Sequence, residues 1–159
     1  MELSAFTYTV YIATTPERTW ETLTSADMSP LFWSGCAIES DWRPGSRVKL
    51  TREGVVRSSG QVLECTPASR LSYSFIRRYL PEYESEGASQ VTFEFEPLGA
   101  QTQLTLTHSG FPQDSKIRPV VAESWPIILS SLKTLLETGQ PLSDIRRSAG
   151  QLVATAGGC

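Results

Sequence analysis

His108 is the single histidine of the chain, so a Ser-His-Asp relay, a Cys-His pair or a multi-histidine metal centre would each have to be built around it. An unperturbed imidazole titrates near about 6.5 and can act as acid, base or ligand anchor at neutral pH. Alternation with Leu104 and Leu106 turns His108 to the apolar side of its strand, where it can equally serve as a hydrogen-bonded core group. The parity of Leu71, Tyr73 and Phe75 turns Tyr73 inward as well. His108 and Tyr73 are thus the catalytic candidates, the proton-handling pair of an enzyme of the cyclase or hydratase kind. Glu39, Asp41, Glu64 and Glu94 are the carboxylates within strand patterns. Glu94 and Glu96 alternate with Phe93 and Phe95, and Glu64 is opposite in parity to Leu63 and Cys65, so these acids read as solvated strand faces. Cys36, Cys65 and Cys159 are too widely and irregularly spaced for a disulfide framework or a C-x-x-C metal clip; Cys36 and Cys65 read as small apolar strand residues. No phosphate-cradling glycine loop, zinc spacing or nucleophile elbow is visible, and neither a metal nor a cofactor is expected.

Apolar and aromatic residues at inward parity are more numerous than these polar groups. Tyr73, Phe75, Phe93, Phe95, Leu106 and Trp125 converge on one hollow if the alternation holds. Such side chains are core at the tight end of a curved sheet and pocket lining at its open end. With Trp33, Trp42, His108, Leu129 and Leu132 they form the expected lining of a site for a hydrophobic or amphipathic small molecule.

The elements that must position them follow from pattern. Phe6, Tyr8, Val10 and Ile12 alternate with polar residues and predict an opening strand. Thr15 is an N-cap with Pro16 at the first helical position, and Trp20 and Leu23 share a face of the helix that follows. The stretch from Asp27 to Trp33 adds a short helical piece. A meander comes next: Ile38 to Trp42, the turn Arg43-Pro44-Gly45-Ser46, Arg47 to Thr51, the turn Glu53-Gly54, and Val56 to Cys65. Leu71, Tyr73 and Phe75 mark another strand, and a polar loop from Arg78 to Ser89 reads as a mobile rim over the cavity mouth. Val91, Phe93 and Phe95 follow, then Pro97-Leu98-Gly99 turns into the Leu104 strand, which ends at the turn Ser109-Gly110-Phe111-Pro112. Trp125, Ile128, Leu129, Leu132, Leu135 and Leu136 recur at spacings of three and four and put one apolar stripe on a long helix, stopped by Gly139 and Pro141. The total is one strand, one or two helices, six antiparallel strands and a final helix: an α+β fold, with a seven-stranded curved antiparallel sheet around a long C-terminal helix.

A chain of 159 residues with 40% apolar and 19% charged residues fits one globular domain, here 1–139, followed by a tail over 140–159 that is partly ordered at best. Ile145, Ala149, Leu152 and Val153 would give that tail a short amphipathic helix. The net charge of −3 argues against nucleic acid as a partner, because phosphate neutralisation needs clustered Lys and Arg. No apolar run is long enough for a membrane span, and Met1-Glu2-Leu3-Ser4 lacks the start of a secretory signal, so a cytoplasmic protein is expected.

Several strings, taken in order, resemble the activator-of-heat-shock-protein-ATPase homologue branch of the START-like, pollen-allergen-like helix-grip (SRPBCC) superfamily. Ala13-Thr14-Thr15-Pro16-Glu17-Arg18-Thr19-Trp20 resembles its A-P-x-E-x-V-W opening. Leu31-Phe32-Trp33 with Trp42-Arg43-Pro44-Gly45 resembles its tryptophan-bearing segment and P-G turn. Gly60 to Pro67 with Leu71-Ser72-Tyr73 is similar to G-x-V-x-E-x-x-P…L-x-Y, Leu104 to Pro112 to L-T-x-T-H-x-G-F, and Ser124-Trp125 stands where Gly-Trp is usual. The likeness covers residues 5 to 138. It implies the helix-grip fold, a cavity that in relatives holds apolar small molecules, and, through the co-chaperone that names the family, a protein-interaction module as a further alternative; a homodimer is compatible with all of these. It also implies one continuous helix from Ser115 to Thr138, in which Pro126 removes the hydrogen bond to the carbonyl of Ala122. Either Ser124 then caps a new helix, or the helix runs through with a kink near Ala122.

Overall fold

Thr15 shows how directly local chemistry sets the frame. Its Oγ1 accepts from the Arg18 backbone N–H at 3.2 Å and Pro16 opens the first turn, so α1 (Pro16–Leu23) starts where the strand β1 (Ser4–Ile12) ends. The computed structural model describes residues 3–142; the amphipathic tail expected from Ile145 to Val153 lies outside them. After α2 (Ser29–Phe32) come β2 (Ala37–Ser40), β3 (Arg47–Arg52), β4 (Val55–Thr66) and β5 (Arg70–Arg77). The short helix α3 (Pro81–Glu84) leads to β6 (Ser89–Leu98), β7 (Gln101–Phe111) and the long helix α4 (Ile117–Thr138). Among the described residues the strands form one antiparallel sheet in the order β1-β7-β6-β5-β4-β3-β2, curved around α4.

The core is the inner face of that sheet pressed on the stripe of α4. Ile12, Leu71, Tyr73, Val91, Phe93, Leu104 and Leu106 are wholly buried from the sheet, and Leu129 and Leu132 from the helix. Every residue of the expected stripe is buried, and Ile117 and Val121 extend it by two turns. Gly139 ends α4 in the left-handed conformation at φ +83°, its N–H bonded to the Leu135 carbonyl. The Glu53-Gly54 turn has positive φ at both residues, the geometry of a tight primed hairpin joining β3 and β4.

Three expectations are corrected. β2 stops at Ser40, and Trp42 lies beyond it in a turn at φ +55°, held by a bond from its indole N–H to the Thr24 carbonyl at 3.1 Å. The Ser109-Gly110-Phe111 turn is strand: β7 continues to Phe111, and Ser4 pairs with Phe111 while Ala5 pairs with Ser109, so Gly110 is the extra residue of a bulge at φ +90°. Cys36 is fully buried but disulfide-bonded, and only Cys65 is a free thiol among the described cysteines.

Helix α4 runs through Pro126 without interruption, so Ser124 caps no second helix; its hydroxyl instead donates to the Val120 carbonyl at 2.7 Å. Gly60 permits a close crossing of β4 and β5, since a Cβ there would sit 1.8 Å from the Ser74 carbonyl oxygen. The strand acids behave as expected: Glu64 and Glu94 are exposed and both pair with Arg70, and Glu39 pairs with Lys49.

Candidate functional site

The buried His108 is held at both nitrogens. Trp125 donates its indole N–H to Nδ1 at 3.0 Å, and because an indole nitrogen can only donate, Nδ1 is the unprotonated nitrogen. The neutral ring therefore carries its proton on Nε2, which points at Ser89 Oγ 2.7 Å away, and that hydroxyl lies 3.5 Å from the Phe75 carbonyl. Burial first, and the charge of Arg77 second, lower the pKa of His108 to about 3. A neutral imidazole with both nitrogens engaged has no lone pair open for proton transfer. It works as a clasp joining β7, β6 and α4.

Tyr73 does not complete a catalytic pair. It is paired with Val91, and Val91 with His108, so strand β6 separates the two side chains. The Tyr73 hydroxyl is buried and has no hydrogen-bond partner, and desolvation raises its pKa well above the usual phenol value. Its ring stacks edge-on against Phe75 with centroids 4.7 Å apart and lies 6.4 Å from both Trp42 and Phe93.

The hollow of the grip survives only beyond this cluster. It is lined by Trp33, Leu50, Ser58, Phe75, Arg77, His108, Val121, Ser124, Trp125 and Ile128, and it has room of about 20 Å³, enough for roughly one water. Of the residues expected to line it, Trp33, Phe75, His108 and Trp125 do so. Trp42, Tyr73, Phe93, Phe95, Leu106, Leu129 and Leu132 pack away from it. The physical reason is that these side chains fill the tight end with one another: Phe93 meets Trp125 edge-on, Tyr73 packs on Phe75 and Phe93, and Phe95 packs on Trp20.

Arg77 was not expected here. The parity Leu71, Tyr73, Phe75 continues to Arg77, which arrives on the inner face opposite Ser58 of β4; that alternation was legible in the sequence, and the charge obscured it. Arg77 Nη1 donates to the Tyr79 hydroxyl at 3.1 Å, and the guanidinium of Arg57 lies 4.0 Å over the Tyr79 ring. Desolvation, and the like charge of Arg57 to a lesser degree, lower the pKa of Arg77, which still leaves it a cation.

The rim is strapped down. Glu86 accepts from the Lys116 backbone N–H at 2.6 Å and from Ser115 Oγ at 2.7 Å, while Ser115 Oγ accepts from the backbone N–H groups of Ile117 and Arg118. The first turn of α4 is thus capped jointly by Ser115 and by a carboxylate from the rim. Glu82 pairs with Lys116 and Glu84 with Arg78, and Tyr83 is buried beneath. The expected mobile rim carries helix α3 and is docked on α4.

Among the described residues no three of His, Cys, Asp and Glu are grouped to hold a metal ion, and no helix is long and apolar enough to cross a membrane.

A seven-stranded antiparallel sheet gripping one long helix, with a residual hollow at its open end, is the helix-grip architecture of START-like proteins. Residues 13–137 match the family described as Activator of Hsp90 ATPase homolog 1-like protein, and the chain belongs to that family. Three solved structures show the same fold. The Aha1 dimer from Colwellia psychrerythraea is 21% identical, with 86% of this chain and 98% of that one covered and a TM-score of 0.70. A protein from Mesorhizobium loti is 24% identical, with 84% and 96% covered and a TM-score of 0.72. An HSP90 activator from Plasmodium falciparum is 21% identical, with 92% and 96% covered and a TM-score of 0.64. No match was found among curated proteins.

Proposed function

We propose that this chain is a small-molecule-binding module whose amphipathic ligand occupies the hollow between the sheet and α4, entering where the α3 rim meets the start of α4. The observation that supports it most is the composition of the hollow. Trp33, Phe75, Trp125, Val121 and Ile128 supply apolar wall, while Arg77, Ser58 and Ser124 bring polar atoms to one end, the mixture that small-molecule sites use. The closed room of about 20 Å³ requires the rim to lift before a ligand enters. The contacts that must break are the exposed Glu82–Lys116 pair, worth about 1 kcal/mol or less, the bonds of Glu86 to Ser115 and the Lys116 N–H, and the packing of Tyr83, which is buried beneath.

N-phenyl-1-naphthylamine, a neutral apolar fluorophore, tests this reading. It should bind the protein saturably at one site. Ile128→Trp, which fills the hollow, should weaken binding by about tenfold or more, a loss of about 1.4 kcal/mol, while leaving the far-ultraviolet dichroism unchanged. No saturable binding by the native protein, or equal binding by Ile128→Trp, overturns it.

A second reading, contact with an HSP90-type chaperone, draws on the family description and on the Plasmodium relative. The apolar patch that this reading expects on the outer sheet face is not found among the described residues. That face carries Thr7, Thr9, Thr105 and Thr107 beside the Glu64–Arg70–Glu94 ion-pair triad. Its exposed large apolar residues are scattered over β1 (Tyr11), β4 (Val55 and Leu63) and β6 (Leu98), none of them neighbouring strands. The enzyme alternative has less behind it, since His108 and Tyr73 are neither joined nor free to exchange protons.

A further inference from the structure

We infer that the rim and the start of α4 open together as one gate, with the carboxylate of Glu86 as its latch; the gating role rests on the small-molecule reading above. The rim is tied to α4 through Glu82 and Glu86. The Glu82–Lys116 pair joins two exposed side chains at 3.1 Å, where water screens it. Glu86 is half-buried, and its two oxygens hold different groups: Oε1 accepts from the Lys116 backbone N–H at 2.6 Å, and Oε2 from the Ser115 hydroxyl at 2.7 Å. With its proton given to Glu86, Ser115 Oγ turns its lone pairs to the N–H groups of Ile117 and Arg118, at 3.1 and 3.0 Å. These three N–H groups belong to the turn that a helix leaves without internal acceptors, and a negative charge is favoured beside them. Glu86 is thus at once the clasp of the rim and half of the helix cap. When the rim lifts, α4 loses its cap, and when the first turn frays, the rim loses its anchor.

The hinges lie where motion leaves the rest of the fold in place. Gly87 follows the latch directly, at φ +78° and with nothing within 4 Å of the position a Cβ would take. It separates Glu86 from Ser89, whose hydroxyl is fixed on His108, so the rim can swing while β6 stays in register. The other end of the rim is anchored at Arg78, whose backbone N–H donates to the Arg57 carbonyl at 2.8 Å and whose Nε donates to Ser59 Oγ at 3.0 Å. In α4, Pro126 has no N–H to give the Ala122 carbonyl, so the first turns are joined to the rest of the helix by one bond fewer. Val121 in that segment lines the hollow, so loosening it widens the hollow as the rim lifts.

Backbone hydrogen exchange followed by NMR tests the coupling, and stopped-flow binding of N-phenyl-1-naphthylamine tests the gate. A four-residue helix such as α3 does not persist once undocked, so the rim amides of Tyr83 and Glu84, bonded to the Leu80 carbonyl, report its lifting. In Glu86→Ala these amides and those of Lys116, Ile117 and Arg118 should all exchange faster by about tenfold or more, while Leu132 is unchanged. Association and dissociation of the fluorophore should accelerate alike, the equilibrium constant moving by less than about threefold. Glu82→Gln should alter either reading by less than about twofold, because its pair is exposed. If Glu86→Ala fails to fold, Glu86→Gln carries the test: it keeps the shape without the charge, and both sets of amides should still accelerate together. Faster exchange in one set without the other, or binding rates that stay at the native values, overturns the inference. Failure of the fluorophore to bind while both sets open together would sink the small-molecule reading and leave the latch standing; unaltered exchange would sink the latch whatever binds.

Discussion

Acid should destabilise this protein through His108 before its carboxylates titrate. The folded state holds the imidazole neutral, with its pKa lowered to about 3 by burial and by Arg77, against 6.5 for the free side chain. Below about 6.5 the unfolded chain therefore takes up a proton that the folded chain refuses, and stability falls as the pH drops, until the folded ring too is protonated near about 3. The limiting slope is about 1.4 kcal/mol per pH unit, and between about pH 7.5 and about pH 5 the integrated loss is about 2 kcal/mol. Glu137, whose pKa is lowered by hydrogen bonds from Lys133 and the Ala13 N–H, loses its contribution under more acid conditions than these. His108→Gln isolates the effect. Its amide oxygen can accept from Trp125 and its NH₂ can donate to Ser89, but it does not titrate. Urea unfolding followed by tryptophan fluorescence should show native stability falling by about 2 kcal/mol more than that of His108→Gln across this range. Equal pH dependence in the two proteins would refute the reasoning, because it would mean that the folded ring accepts a proton as readily as the unfolded one.

Tyr73→Phe removes a buried hydroxyl that has no hydrogen-bond partner and should raise stability by about 1 kcal/mol in urea unfolding; a loss of that size would reveal a partner for the oxygen. Phe93 is wholly buried, lies edge-on to Trp125 with centroids 5.8 Å apart, and does not border the hollow. Phe93→Ala should accordingly cost about 3–5 kcal/mol in the same assay, and a cost below about 2 kcal/mol would place the ring beside empty space.

The course of the backbone was open to local reading. Thr15-Pro16 starts α1 because cap and proline act on their own first turn, Glu53-Gly54 turns β3 into β4 because Gly54 takes positive φ without steric cost, and Gly139 stops α4 by the same freedom. The α4 stripe and the inward parity of the strands are likewise periodic properties of the chain, and with the ordered family strings they carried the seven-stranded sheet and its gripped helix. What fills the grip was not local. Whether Phe93 or Phe75 borders a hollow depends on how far rings from three strands reach toward one helix, and only packed coordinates settle that competition for volume. The same holds for His108, whose tautomer is set by an indole 17 positions away in sequence. Arg77 and Glu86 are the sharpest cases. Sequence placed Glu86 at a loose polar rim and gave Arg77 no role, and tertiary structure set Arg77 in the wall of the hollow and Glu86 on the first turn of α4, because a charge takes its meaning from the partners that the fold brings to it.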